Sequence, residues 1–298
     1  MLRPKPGTGQ LSPSCTGPTW HADRAVVPYQ ATTHVVHIDS RRGVVTKRFR
    51  SWDRGEPRRE WTALTLLAEH SPGLTPRPIH AALDAEPPVI EMSRLPGTPL
   101  GGLPLSRFKA EALALTLERL WRAVPLALIG TQTVRERNPA AFVAQVQTLL
   151  TANHDRCIDE FAGMAFREGT AWFAQAPLER LRDAAVILGQ GDPNLANFLW
   201  DGTDIRIVDF EDSGPSSRAF ELAILVEHVS AWSDSGLDSD SFVSMFDLTK
   251  AELAMLRAYR RLTALFWLLK LQSRGEASHR DGDDALIRQA ERLLTLLG

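Results

Sequence analysis

The sequence predicts an α+β chain in which a small β-rich segment is followed by a larger helical one. Two β-forming runs, HVVHI at 34–38 and GVVTKRF at 43–49, flank a polar turn. From about residue 105 the apolar residues recur at helical spacing, and a single β-like stretch, 186–214, interrupts that pattern. With 298 residues, 44% apolar and 23% charged, the chain has enough apolar surface for a sizeable core in one or two domains.

Residues 1–23 mix Pro, Gly, Ser and Thr without apolar periodicity, the composition expected of a flexible leader. The two β runs then form an antiparallel hairpin around Asp39–Gly43. A helix begins at Glu56, with Pro57 suited to its first turn and Trp61, Leu64, Leu67 and Ala68 on one stripe. After a Pro-broken loop, PPVIEMSRLPGTPLGG joins a short apolar run to a Pro/Gly-rich exit, the best linker candidate in the chain. Helices are expected over Phe108–Val124, Pro139–Ala152, Leu178–Ala185 and Ser217–Trp232, and two more over most of 249–297. No internal repeat is present, which disfavours solenoid architectures.

Charge and cysteine content remove several functional classes. A formal net charge of -2 supplies no cationic field for nucleic acid or anionic membranes. Cys15 and Cys157 alone cannot build a disulfide framework or a structural zinc site. Apolar stretches such as Ala264–Leu269 fall far short of the roughly 20 residues that span a bilayer. A cytoplasmic protein with no membrane or nucleic-acid partner is expected.

The chemistry concentrates in the interruption. FLW and IRIV are separated by Asp201-Gly202-Thr203-Asp204, a strong hairpin-turn signal. Asn197 precedes the outgoing strand and Asp209 follows the returning one, so both lie at the open mouth of the hairpin, with Asp192 in a Gly/Pro-flanked loop at the same end. A carboxamide and a carboxylate are hard oxygen donors of the kind Mg²⁺ accepts. A further carboxylate to receive a proton completes the minimal equipment for metal-assisted phosphoryl transfer. Singly, each residue reads as a turn former or a solvated acid; together, in this order, they favour the catalytic reading.

Asp192-x-x-x-x-Asn197 followed by Asp209-Phe210-Glu211 resembles the catalytic and metal-binding segments of the aminoglycoside phosphotransferase and choline kinase superfamily of small-molecule kinases. The resemblance implies a protein-kinase-like two-lobed fold, with a nucleotide-binding lobe over 24–97 and a catalytic, acceptor-binding lobe over 98–298. It also implies ATP or GTP and Mg²⁺ as cofactors. Asp192 takes the place of the catalytic base, and Asn197 and Asp209 those of the metal ligands. Lys47 and Glu60 match the phosphate-binding lysine and its glutamate partner. Ser93 and Leu95 match the backbone contacts to the base, and Thr32 and Thr33 fall in the phosphate-covering loop.

Three positions depart from the family pattern. Gln190-Gly191-Asp192 stands where His-Gly-Asp is usual, the Gln30–Thr33 loop has no glycine, and Glu221 replaces a common Asp. Gln190 offers a side-chain hydrogen bond but cannot titrate, so a structural role is expected for it. His228 reads as a packed or surface histidine. The leading function is a small-molecule O-phosphotransferase; a pseudokinase that binds nucleotide or a protein partner without turnover is the alternative. Two acceptor classes stay open. An aminoglycoside-like cation would use Asp155, Asp159, Glu160, Glu211 and Asp212, although such acids are more often a solvated face. A choline-like one would use the aromatic walls of Trp172, Phe173 and Trp232. The sequence is silent on oligomeric state.

Overall fold

The structure, a computed structural model, describes residues 34–132, 138–153, 160–178, 181, 186–274 and 281–298. Strands β1 (His34–Asp39) and β2 (Val44–Phe49) form the anticipated hairpin, with Asp39 Oδ1 accepting from the backbone N–H groups of Arg41 and Arg42 at 3.0 Å each. The pleat of β2 places Val45, Lys47 and Phe49 on one face. Lys47 and Phe49 are buried there, so the lysine occupies a position where the pattern calls for an apolar residue.

Helix α1 (Glu56–His70) follows a left-handed Gly55. Its inner face runs through Glu56, Arg59, Glu60, Ala63, Leu64 and Leu67. That face is rotated from the expected one: Trp61 and Ala68 are only half-buried, because the first turns direct charged side chains inward and only the later turns are apolar. Strands β3 (Pro78–Ala82) and β4 (Val89–Ser93) complete a sheet of order β1-β2-β4-β3, antiparallel throughout. The proline-rich surroundings of β3 concealed it in the sequence.

The Pro/Gly exit is not a loose linker. Its short strand β5 (Thr98–Pro99) pairs with Leu199 and Trp200, and Leu100 N–H and Gly101 N–H donate to the carbonyls of Phe198 and Leu195 at 2.9 and 3.1 Å. Position 97 requires glycine, since its φ is 129° and a Cβ would lie 3.0 Å from the Trp200 carbonyl oxygen.

Helices α2 (Arg107–Ala123), α3 (Leu126–Ile129), α4 (Pro139–Ala152) and α5 (Glu160–Gln175) follow. Next come β6 (Ile187–Gly189), a 3₁₀ turn (Leu195–Asn197), β7 (Phe198–Trp200), β8 (Ile205–Ile207) and β9 (Gly214–Ser216). Helix α6 (Arg218–Val226), a π-helical turn (Ser230–Asp234) and helices α7 (Ser239–Val243), α8 (Lys250–Arg274) and α9 (Asp281–Leu297) end the chain. Helix α8 is the spine, packing on α4, α5, α6 and α9 through Leu256, Tyr259, Leu262, Leu265 and Leu269 at helical spacing. The small antiparallel sheet followed by a larger helical region is the fold class read from the sequence.

Helices α3, α5 and α7 were not anticipated, and the helix expected over Ser217–Trp232 stops at Val226 with no glycine or proline to mark the break. Most of the helix expected over Leu178–Ala185, like the leader 1–23, lies outside the described residues. Among the described residues no helix is long and apolar enough to cross a membrane.

The close approach at Gly97 is directly testable. Gly43 also has a positive φ, 62°, but nothing within 4 Å of a Cβ. Urea unfolding should show Gly43→Ala costing roughly 1 kcal/mol and Gly97→Ala about 2–3 kcal/mol. Equal costs would contradict the packing of the 97–102 segment on β7.

Candidate active site

Three elements converge on one ammonium group. Lys47 Nζ, from β2, lies 2.5 Å from Glu60 Oε2 of α1, 2.6 Å from Asp209 Oδ1 and 2.9 Å from Glu211 Oε2, both on the segment after β8. Lys47 and Glu60 are almost wholly buried, at 3% and 1% exposure. Burial by itself would depress the lysine's pKa, but Asp209, Glu60 and Glu211 more than reverse this and hold it well above the ordinary lysine range. Glu211 is fixed from two further sides: His34 Nδ1 lies 3.1 Å from its Oε2, and Arg59 Nε donates to its backbone carbonyl at 2.8 Å.

The β7–β8 hairpin supplies the neighbouring groups as anticipated. Asp201 Oδ1 accepts from Thr203 and Asp204 N–H at 3.0 and 2.8 Å, closing the turn, and Val208 N–H donates to the Asn197 carbonyl at 2.9 Å. Asn197 and Asp209 are thereby set at the mouth. Asp209 has a φ of 65°, left-handed for a residue with a Cβ, which marks a backbone held by its surroundings. Asn197 Nδ2 donates to Asp192 Oδ2 at 3.0 Å, and Asn194 N–H donates to Asp192 Oδ1 at 3.2 Å. Burial, and then the nearby negative charges of Asp209 and Asp212, push the Asp192 carboxyl up to about 6.

Two side chains tie the Asp192 loop down. Gln190, 3% exposed, uses both ends of its amide: Nε2 donates to the Asp209 carbonyl at 2.7 Å, and Oε1 accepts from Asp192 N–H at 2.9 Å. Glu221 of α6 accepts from Gly191 N–H at 3.2 Å with one oxygen and from Ser216 Oγ at 2.6 Å with the other. Gly189 makes room for this glutamate, since a Cβ there would come within 2.4 Å of Glu221 Oε1. The bare position is thus matched to the longer side chain.

Of the residues singled out in the sequence, Lys47, Glu60 and Asp209 are in direct contact, and so are Asp192 and Asn197. Ser93 lies one strand away from Lys47, at the end of β4 opposite Val44; its N–H donates to the Arg77 carbonyl at 2.9 Å and its Oγ accepts from Arg77 N–H at 2.8 Å. Leu95 follows, half-buried, and Thr32 and Thr33 lie outside the described residues. Among the acids weighed for an acceptor pocket, Asp155 and Asp159 also lie outside them, and Glu160 is exposed at the start of α5. Glu211 and Asp212 form no solvated acidic loop, because Glu211 is drawn onto Lys47 and both are buried. Trp172 and Phe173 pack half-buried against the core, and Trp232 carries the guanidinium groups of Arg288 and Arg292 at 5.1 and 5.6 Å from its ring. Sequence reasoning missed His34, which no local pattern connects to Glu211 177 residues away.

Several groups here suit a cation. The side-chain oxygens of Asn197 and Asp209 are hard donors of the kind Mg²⁺ accepts. His34, Asp209 and Glu211 also bring ligand-type atoms within 4.8 Å of one another, but Lys47 already bonds both of those carboxylates.

A lysine of the small sheet and a glutamate of α1 are thus buried as a pair against Asp209, beside the loop and hairpin that bear Asp192 and Asn197. Residues 29–262 match the family described as phosphotransferase enzyme family, and the chain belongs to it as a small-molecule kinase. No curated protein matches by sequence. Among solved structures, a choline/ethanolamine kinase family protein from Mesorhizobium loti aligns with TM-score 0.62 and 16% identity, over 90% of this chain and 86% of its own. The choline kinase LicA from Streptococcus pneumoniae aligns with TM-score 0.56 and 14% identity over 90% of both chains. A spectinomycin phosphotransferase solved with ADP and spectinomycin aligns with TM-score 0.55 and 12% identity over 85% of both. These likenesses establish the shared fold.

The Gly189–Glu221 match gives a double-mutant cycle. Gly189→Ala should destabilise the protein by about 1–3 kcal/mol through overpacking. Adding Glu221→Asp, which withdraws the carboxylate by one methylene, should recover the part of that loss due to the carboxylate, leaving the part due to Ser216 Cβ, 2.6 Å from the added Cβ. Strictly additive effects in thermal unfolding would show that the two positions are not coupled.

Proposed function

We propose that the protein transfers the terminal phosphoryl group of ATP or GTP to a hydroxyl of a small molecule, with Mg²⁺. The observation that carries this is the contact of Lys47 with Asp209, which joins the phosphate-type lysine of the sheet to the metal-type aspartate of the hairpin. Neighbours of the same fold solved with ADP and with GDP support the use of a nucleotide. Lys47, steadied by Glu60, would pair with nucleotide phosphate oxygens, exchanging its contacts with Asp209 and Glu211 for them. Asn197 and Asp209 would hold Mg²⁺, which supplies neutralisation of phosphate charge. Asp192 would accept the proton of the acceptor hydroxyl as its oxygen attacks the phosphorus, and the nucleoside diphosphate would leave. Ser93 and Leu95 remain the proposed backbone contacts of the base. With lobes over 24–97 and 98–298, as the family resemblance implies, the nucleotide would bind where Lys47 meets Asp209.

The acceptor is a small hydroxylated molecule. For an aminoglycoside-like cation, Glu211 and Asp212 contribute less than their sequence suggested, since both are buried and Glu211 is engaged at Lys47. For choline, Trp232 is a poor wall, because its ring already faces two guanidinium groups. A nucleotide-consumption screen over aminoglycosides, other hydroxylated antibiotics, amino alcohols and sugars identifies the acceptor. Nucleotide binding with no consumption across the panel would favour the pseudokinase.

With the acceptor in hand, Asp192→Asn should lower turnover by roughly 10² to 10⁴ while nucleotide affinity stays within a few fold. Near-normal turnover would remove Asp192 from the base role. The base must be ionised, so activity should be full above the raised Asp192 pKa and fall as pH drops through about 6. A rate that stays level down to pH 4 would contradict this assignment.

A further inference from the structure

The 3₁₀ turn Leu195–Asn197 ends on the side chain assigned to the metal, so whatever fixes the turn also fixes Asn197. Within the turn, Ala196 N–H is satisfied by Asn194 Oδ1 at 3.0 Å and Asn197 N–H by the Asn194 carbonyl at 2.9 Å. The first N–H has a different partner. Leu195, wholly buried, donates its N–H to Ser230 Oγ at 3.1 Å, from the first residue of the π-helical turn 35 positions later. π-helical turns inside helical regions are frequently found at functional sites.

Ser230 is itself held. Its backbone N–H lies 3.1 Å from His228 Nδ1, and its Oγ lies 2.7 Å from the same nitrogen. A backbone N–H only donates, so Nδ1 is the unprotonated acceptor and the proton of a neutral ring sits on Nε2. The Ser230 hydroxyl then gives its hydrogen to Nδ1 and keeps a lone pair for Leu195 N–H. His228 is buried and meets the Trp267 ring edge-on, with centroids 4.8 Å apart. Trp267, His228, Ser230 and Leu195 form a continuous relay from helix α8 to the turn that presents Asn197.

We propose that Ser230, oriented by His228 Nδ1, is a positioning residue for the metal–nucleotide site and sets Asn197 in place. The proposal rests on the reading of Asn197 as a metal ligand. Neither residue touches the reacting atoms; both act through the 3₁₀ turn. A histidine that the sequence marks as ordinary packing thereby acquires a place in the machinery.

The test uses the full chain and Mn²⁺, titrated by electron paramagnetic resonance in the presence of the tighter-binding of the non-hydrolysable ATP and GTP analogues. Ser230→Ala and His228→Leu should each weaken Mn²⁺ binding roughly tenfold or more. Analogue affinity in EDTA, with no metal present, should stay within about twofold of the parent. His228→Asn, whose Oδ1 replaces the Nδ1 acceptor, should recover most of the metal affinity, as should Ser230→Thr, which keeps the hydroxyl. Circular dichroism melts identify folded variants, and the two conservative variants carry the test if Ser230→Ala or His228→Leu fails to fold. Parent-like Mn²⁺ affinity in Ser230→Ala and His228→Leu, alongside a large loss in Asn197→Ala, would overturn the relay while leaving the metal reading intact. An unchanged affinity in Asn197→Ala would overturn the metal reading itself. Equal losses in His228→Asn and His228→Leu would assign the effect to ring packing and refute the hydrogen-bonded relay.

Discussion

The burial of one ammonium group among carboxylates organises this protein. Taking Lys47 out of water is costly, and the cost is met only if partners arrive from β2's neighbours in space: Glu60 from α1, and Asp209 and Glu211 from beyond β8. That requirement explains why α1 turns charged residues inward at its start and leucines only later. It also explains why Arg59 reaches across to the Glu211 carbonyl and His34 to the Glu211 carboxylate. The sheet and the hairpin are thus joined electrostatically at the point where phosphate is proposed to bind.

A second constraint acts on the loop that carries Asp192. A loop of Gly, Asp, Pro and Asn has little apolar surface with which to fix itself, so side chains from elsewhere hold its backbone. Gln190 bridges it to Asp209, Glu221 anchors it to α6, and Ser230 pins its far end. Gly189 is the steric condition for one of these anchors. The position held by Gln190 asks for a donor and an acceptor on one planar group, and an amide meets that demand at every pH.

The hairpin at 198–207 and the array at its mouth were legible because turn chemistry is local: Asp201-Gly202 fixes the register, and the register places Asn197 and Asp209. The β1–β2 hairpin and the long helices α2, α4 and α8 were legible for the same reason, through strong period and clear ends. Lys47 was singled out by family resemblance, and its position on the buried face of β2 is the physical signal that accompanies it. His34, Glu211 and Ser230 were not legible in their roles, because their contacts span 177, 164 and 35 residues and leave no periodic trace. The end of α6 at Val226 was hidden as well: Glu227 is held by Arg260 and Arg292, at 2.7 and 2.8 Å, where no helix-breaking residue stands.

The central claim is that nucleotide is gripped at once by the sheet bearing Lys47 and by the loop and hairpin bearing Asp192, Asn197 and Asp209. Hydrogen–deuterium exchange of the full chain with and without Mg²⁺ and a non-hydrolysable nucleotide measures this most directly. The account predicts slowed exchange in 44–49, 56–60 and 91–95 together with slowed exchange in 190–211. Nucleotide binding that protects only one of these two groups of segments would contradict it.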